Sequence, residues 1–249
     1  MTTDTLLISQ TDKVLTLSFN RAEKKNSLTQ SMYVSAIDAI TQAKDDPDVH
    51  VVLIRGEQNL FTAGNDLDSF NNRKPDEKSL GIRLLEVLHE FPKPIVAAVS
   101  GVAIGIGATM LLHCDLVYAS PNTRFRLPFI NLGLVPEGGS SLLLPLRIGH
   151  QRAAKVLMLG EFFDTADAIN FGFVSEEVVL DQLYSKANET ARVLSLLPQE
   201  ALLTTKRLMK QSLAEEVSST IEDEAQEFAR MLQTPESRRL RSSTLKKDK

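Results

Sequence analysis

One stretch, residues 94 to 112, carries no charged side chain and is long enough to cross a bilayer. It also contains Ser100, Gly101, Gly105 and Gly107. Glycines at that spacing break an isolated helix, so the stretch reads instead as a buried strand, a tight turn and the start of a buried helix. A chain with such a segment must wrap other elements around it on every side. Together with strands that alternate with helices up to about residue 178, this points to an α/β fold with an α-helical appendage.

The rest of the chain agrees. Residues 14 to 19, VLTLSF, alternate like a half-buried strand, and residues 6 to 9 are expected to pair with them across a turn at residues 10 to 13. Between residues 30 and 44, Met32, Ala36, Ile37, Ile40 and Ala43 recur at helical spacing. Buried strands follow at 51 to 56, 95 to 99 and 116 to 120, with a helical pattern around 82 to 88. The carboxyl third changes character. Leu183, Ala187, Ala191 and Leu194 share one helical face; Val217, Ile221, Ala225, Phe228 and Leu232 share another; Pro198 opens a helix between them. The expected division is a core over residues 1–178 and a helical region of three elements over 179–249, ending in a basic tail read as a frayed helix end with solvated charges.

At 249 residues with 43% apolar and 24% charged side chains, the chain can bury a core of its own. A net charge of -4 offers no global field for nucleic acid or an anionic membrane, so neither is expected as a partner. The one cysteine, Cys114, excludes an intrachain disulfide. No secretory signal is visible and the end is not a peroxisomal address, so a cytoplasmic location is expected.

Gly101, Gly105 and Gly107 after a strand imitate a dinucleotide-binding turn. The tyrosine and lysine that a short-chain dehydrogenase needs are missing, because Tyr33, Tyr118 and Tyr184 are followed four positions on by Ile37, Asn122 and Asn188. The same glycines acquire another meaning beside FTAGNDL, residues 61 to 67. There Ala63 and Gly64 end a strand-like approach, and Asp66 can cap a following helix. Two turns that each present a backbone N–H at a helix start can converge on one carbonyl oxygen and stabilise an enolate.

The order NRAEKKNSL, FTAGNDL, GVAIGIGATMLLHCDLVYAS and FRLPFINLGLVPEGGSS resembles the crotonase (enoyl-CoA hydratase/isomerase) superfamily over roughly residues 5 to 235. The resemblance implies a spiral of ββα units, a carboxyl-terminal helical trimerisation region giving a homotrimer or a dimer of trimers, and acyl-CoA thioesters as substrates, with coenzyme A arriving as part of the substrate and no separate cofactor. It implies an oxyanion hole from the backbone amides of Asn65 and Ile106. It also places coenzyme A and substrate against Ala22, Lys24, Lys25, Ala63, Gly64, Asp66, Leu67 and Gly105, and the acyl group near Thr109, Phe129, Leu132 and Leu134.

The carboxylates separate the subfamilies. Where the family's hydratases carry two glutamates, this chain has Thr109 and Phe129, and neither side chain can act as a base near neutral pH. Instead Glu137 stands in VPEGGSS, which resembles the segment bearing the single catalytic glutamate of 3-enoyl-CoA to 2-enoyl-CoA isomerases. The expected activity is therefore isomerisation by one carboxylate. Hydration, another thioester-enolate reaction, or a non-catalytic binding role are the alternatives. Apolar neighbours such as Phe129, Leu132, Leu134 and Val135 are expected to raise the pKa of Glu137. His113, Cys114 and Asp115 adjoin, but consecutive residues do not converge on a metal, so no metal site is expected. Residues 71 to 78 are expected to form a mobile loop beside the acyl channel.

Overall fold

A computed structural model describes residues 4–66 and 79–247. Leu67 and the expected loop at 71 to 78 lie outside the described residues. Strand β1 (Leu6–Thr11) pairs antiparallel with β2 (Val14–Phe19), Leu6 opposite Phe19. The turn is shorter than expected: β1 runs on to Thr11, and only Asp12 and Lys13 connect the strands, with φ of 49° and 63°. A two-residue hairpin needs that left-handed backbone to match the twist of its strands.

Helix α1 (Gln30–Asp45) starts at Thr29, whose side chain accepts a hydrogen bond from the Met32 amide. Then β3 (Val51–Gly56), α2 (Leu80–Glu90) and β4 (Ile95–Val99) follow, and β5 (Val102–Ile104) leads into the one-turn α3 (Ile106–Thr109). Thus the uncharged segment is a strand, a turn at Gly101 with φ 68°, a second short strand and a helix start. Among the described residues no helix is long and apolar enough to cross a membrane. Strands β6 (Leu116–Ala119) and β7 (Arg124–Arg126) come next, followed by α4 (Ser140–Ile148), α5 (His150–Ala154), β8 (Phe163–Asp164), α6 (Thr165–Asn170) and β9 (Glu176–Glu177). The chain closes with α7 (Leu180–Leu196), α8 (Gln199–Lys210), α9 (Ala214–Leu232) and α10 (Pro235–Lys247).

The main sheet runs β1-β2-β3-β4-β6-β9, parallel from β2 onward; β5-β7-β8 form a smaller second sheet. Alternate residues of each central strand feed opposite faces. Val52, Ile54, Ile95 and Ala97 join the large core with α1 and α2, whereas Val51, Leu53, Val96 and Ala98 meet Leu183, Ala187 and Ala191 of α7. That is why these strands are apolar at every position rather than at every second one. Helix α7 therefore covers the sheet of its own chain. Only from α8 onward do helices lie outside that sandwich, and α9 packs against α2 and α4 through Val217, Ile221, Phe228 and Leu232.

Two expectations at the carboxyl end change. Among the described residues four helices follow residue 179, not three, and the basic tail is helical as far as Lys247, in α10. Ser237 and Arg241 are buried, Arg241 donating to the Leu232 carbonyl at 2.9 Å. A Cβ at Gly133 would lie 3.0 Å from the Ser237 Cα. The sequence pattern hid this because α10 has no apolar stripe; Ser237 and Leu240 face Gly133, and the Arg241 guanidinium reaches α9.

Candidate active site

Three chain segments are stitched together at the ends of β2, β3 and β4. The Ala63 amide donates to the Lys25 carbonyl at 2.9 Å, the Leu28 amide to Gly64 at 2.8 Å, and the Asp66 amide back to Leu28 at 3.0 Å. Asn26, fully buried with φ 52°, accepts from the Arg21 amide at 2.6 Å and donates to the Leu60 carbonyl at 2.6 Å. Arg21 also pairs with Asp66 at 2.5 Å. On the other side, the Thr62 amide donates to Val102 at 3.0 Å and the Ile104 amide to Thr62 at 3.2 Å.

This side-by-side run brings two turns into contact. Gly64 has φ 87°, and a Cβ there would sit 2.4 Å from the Ile104 carbonyl oxygen, so only glycine allows the approach. Asn65 follows one turn and Ile106 the other. Ile106 opens α3, so its N–H has no carbonyl a turn earlier in the helix to meet. The Asn65 N–H likewise meets no backbone carbonyl among the described residues. Neither N–H thus meets a backbone carbonyl among the described residues. The Asn65 side chain is held aside by Tyr33, whose hydroxyl donates to its Oδ1 at 2.6 Å.

Glu137 lies in the same region and is buried, with 3% of its surface exposed. Two glycines in left-handed backbone, Gly138 (φ 69°) and Gly139 (φ 73°), carry the chain from it into α4. A Cβ at Gly138 would reach 3.4 Å from the Thr109 Cβ and 3.0 Å from Leu85, so the loop presses onto α2 and α3. The Thr109 hydroxyl donates to Glu137 Oε1 at 2.5 Å. Burial pushes the Glu137 carboxyl up to about 8, opposed by the Thr109 hydrogen bond and assisted by the nearby Glu224 charge. Tyr33 is raised as well, by burial first and then by Glu137, which places it beside the same carboxylate. A buried acid whose proton balance sits near 8 is suited to taking a proton from carbon and returning it.

The remaining candidates fall into three groups. Lys24 and Lys25 are exposed and Ala22 is half-buried, on the loop whose carbonyl meets Ala63. Gly105 stands at the mouth of the second turn. Phe129 and Leu134 are buried and Leu132 partly so; the Phe129 ring meets that of Phe228 edge-on at 6.3 Å, forming an apolar wall under α9. Beside these, Tyr33 and Glu224 were not singled out from the sequence. Tyr33 lay within a helical stripe and Glu224 on an amphipathic helix, and neither local pattern reveals a partner from another element. A groove of 520 Å³ lies between the β1–β2 hairpin and α7, lined by Thr16, Arg55, Asn188 and Arg192. None of the candidate residues faces it. His113 Nε2–H donates to the Gly138 carbonyl at 2.9 Å, and burial lowers its pKa well below the usual value. Burial takes the Cys114 thiol up to about 12.

The sequence pattern of enoyl-CoA hydratases/isomerases matches residues 9–247. The chain belongs to that family. Human enoyl-CoA delta isomerase 2 is 30% identical over 230 residues, 89% of this chain, though this chain spans only 58% of that protein's length. The 2,3-dehydroadipyl-CoA hydratase of Escherichia coli K12 is 30% identical over 92% of this chain and 91% of its own. Among solved structures, OdaA of Pseudomonas aeruginosa superposes with a TM-score of 0.93 at 40% identity, covering 97% of this chain and 99% of the other. An enoyl-CoA hydratase/isomerase from Pseudoalteromonas atlantica T6c gives a TM-score of 0.93 at 37% identity, with 98% of each chain covered. The α/β architecture with its terminal helices is thus the crotonase fold. Within this enoyl-CoA hydratase/isomerase family, relatives of equal identity carry isomerase and hydratase names, so the choice between those reactions rests on the side chains around Glu137.

Proposed function

We propose that this chain is an acyl-CoA double-bond isomerase that converts 3-enoyl-CoA to 2-enoyl-CoA with Glu137 as its one proton carrier. The observation that carries this reading is the buried Glu137 carboxyl accepting a hydrogen bond from the Thr109 hydroxyl, where a hydratase would carry a second carboxylate. In the reaction Glu137 removes a proton from C2 of the thioester; the electron pair moves onto the thioester oxygen, and the Asn65 and Ile106 amides receive the growing charge. The same carboxyl then returns the proton at C4, and the double bond is left between C2 and C3. No water enters. Hydration needs a second acid or base to hold a water molecule, and at the corresponding positions Thr109 is engaged with Glu137 while Phe129 packs against Phe228. Lys24 and Lys25, exposed on the loop that meets Ala63, are suited to the phosphates of coenzyme A.

The test uses one preparation and both reactions. Wild-type protein is expected to turn 3-enoyl-CoA into conjugated 2-enoyl-CoA, read as rising enoyl-thioester absorbance, and to hydrate 2-enoyl-CoA far more slowly. Glu137→Gln is expected to keep acyl-CoA affinity and lose about a thousandfold in isomerisation, within the range general acid-base catalysis contributes. A variant with near wild-type isomerisation, or a wild type whose hydration outruns isomerisation at every acyl length, overturns the assignment.

A further inference from the structure

We infer that Glu224 is a positioning residue for the base: delivered from α9, its carboxylate clamps the Gly139–Ser141 backbone and holds a negative charge beside Glu137. The inference rests on the isomerase reading for its effect on rate, but not for its effect on the protonation of Glu137.

The geometry is specific. Glu224 Oε2 accepts from the Gly139 amide at 2.6 Å and Oε1 from the Ser141 amide at 2.8 Å. These are N–H groups at the start of α4, which has Gly139 at its N-cap and therefore no side chain of its own to satisfy them. A carboxylate sits well there, because the helix start offers both hydrogen bonds and positive potential. Glu224 is 7% exposed and lies among Val217, Ile221 and Phe228 on the buried face of α9, a place where an acid without partners would be costly. Two residues upstream of Gly139 stands Glu137. The intervening loop is gripped elsewhere too, by the Ser140 hydroxyl on the Glu137 carbonyl at 2.7 Å and by His113 on the Gly138 carbonyl.

The groups facing this pair come from several elements. Tyr33 of α1 and Thr109 of α3 face Glu137, while the neutral His113, with His89 of α2 edge-on at 5.6 Å, stands behind Gly138. Lys210 of α8 lies near both histidines, on their side of the loop, with its amine lowered to about 8, by burial first. Glu224 is the acid whose charge bears on Glu137. Burial raises Glu224 too, but the Ser141 and Gly139 groups pull it back toward the ionised form. The Ser141 and Gly139 groups favour the charged form of Glu224, and a charge there adds to the burial that is the main cause of the raised Glu137 carboxyl.

Carboxyl-carbon NMR on glutamate-labelled full chain tests this, with Glu137 assigned as the signal lost in Glu137→Gln. In Glu224→Gln the Glu137 midpoint is expected to fall by about half a unit or more, because a like charge has been removed. The acid limb of kcat should follow it downward, with kcat about tenfold lower and KM for 3-enoyl-CoA little changed. Glu224→Asp, which keeps the charge, should restore most of the wild-type midpoint. An unmoved or raised Glu137 midpoint in folded Glu224→Gln overturns the inference. Should that variant not fold, the wild type decides: Glu224 must lose its proton at lower pH than Glu137, and the reverse order overturns the inference. Absence of isomerisation at every pH would count against the isomerase reading, while the NMR midpoints would still judge the role of Glu224.

Discussion

The proton on Glu137 bears on stability as well as on the proposed reaction. Its folded-state pKa of about 8 lies above the 4.5 of an ordinary glutamate, so between those values the folded chain keeps a proton that the unfolded chain releases. Stability from this group is whole below about 4.5 and declines as pH rises to about 8. Glu137→Gln, which imitates the neutral form, should therefore be more stable than wild type at pH 9, by on the order of a few kcal/mol, and close to it at pH 4. Thermal unfolding at the two pH values checks this. The Thr109 hydroxyl pulls the other way, since it donates to the ionised form. Thr109→Val should thus move the acid limb of the isomerisation profile upward, and Thr109→Ser should leave it in place. An acid limb that moved down in Thr109→Val would mean that the hydroxyl does not bond the ionised carboxylate.

Between segments, the two turns can present their amides together only because glycine lets them touch. Gly64→Ala combines a left-handed φ with a Cβ 2.4 Å from the Ile104 carbonyl oxygen, a backbone atom that cannot swing away. The variant is expected to lose stability by about 2 kcal/mol or more and to lose isomerase activity even where it folds, because the Asn65 amide is displaced from the Ile106 amide. Gly105→Ala makes the useful contrast. Nothing stands within 4 Å of its Cβ, so its cost comes from φ 56° alone and should be smaller. Equal losses in the two variants would show that close packing of the turns does not matter.

Apolar side chains remain uncovered on the single chain. Ile130, Leu159 and Phe162 gather near Gly160, with Met158 beside them 71% exposed, and Leu196 and Met209 are 71% and 75% exposed on α7 and α8. Patches of that kind on a folded domain mark contact with another molecule, and closed symmetry is the usual result for copies of one chain. Trimers or dimers of trimers are expected by light scattering at micromolar concentration; a stable monomer would refute this.

The buried central strands, the stripes of α1, α7 and α9, and the glycine-marked turns were legible in sequence, because each depends on a run, a period or a backbone constraint within a few residues; β2, expected to be half-buried, is instead buried at every residue but the intermediate Thr16. The motif singled out Glu137, and the structure places it buried under the Thr109 hydroxyl. What the linear chain did not reveal are the meetings of distant residues. Tyr33 reaches Asn65 across 32 positions and Glu224 reaches Gly139 across 85, and no local pattern distinguishes either from a routine helix residue. The same holds for α10, whose polar residues are buried only because Gly133 leaves room for Ser237. The sequence by itself determined which segments would be buried and which acid its motif sets apart. Only the tertiary structure decided how far burial and neighbouring charge shift that acid's proton, since desolvation and Coulomb interaction depend on what surrounds a group in space and not on what adjoins it in the chain.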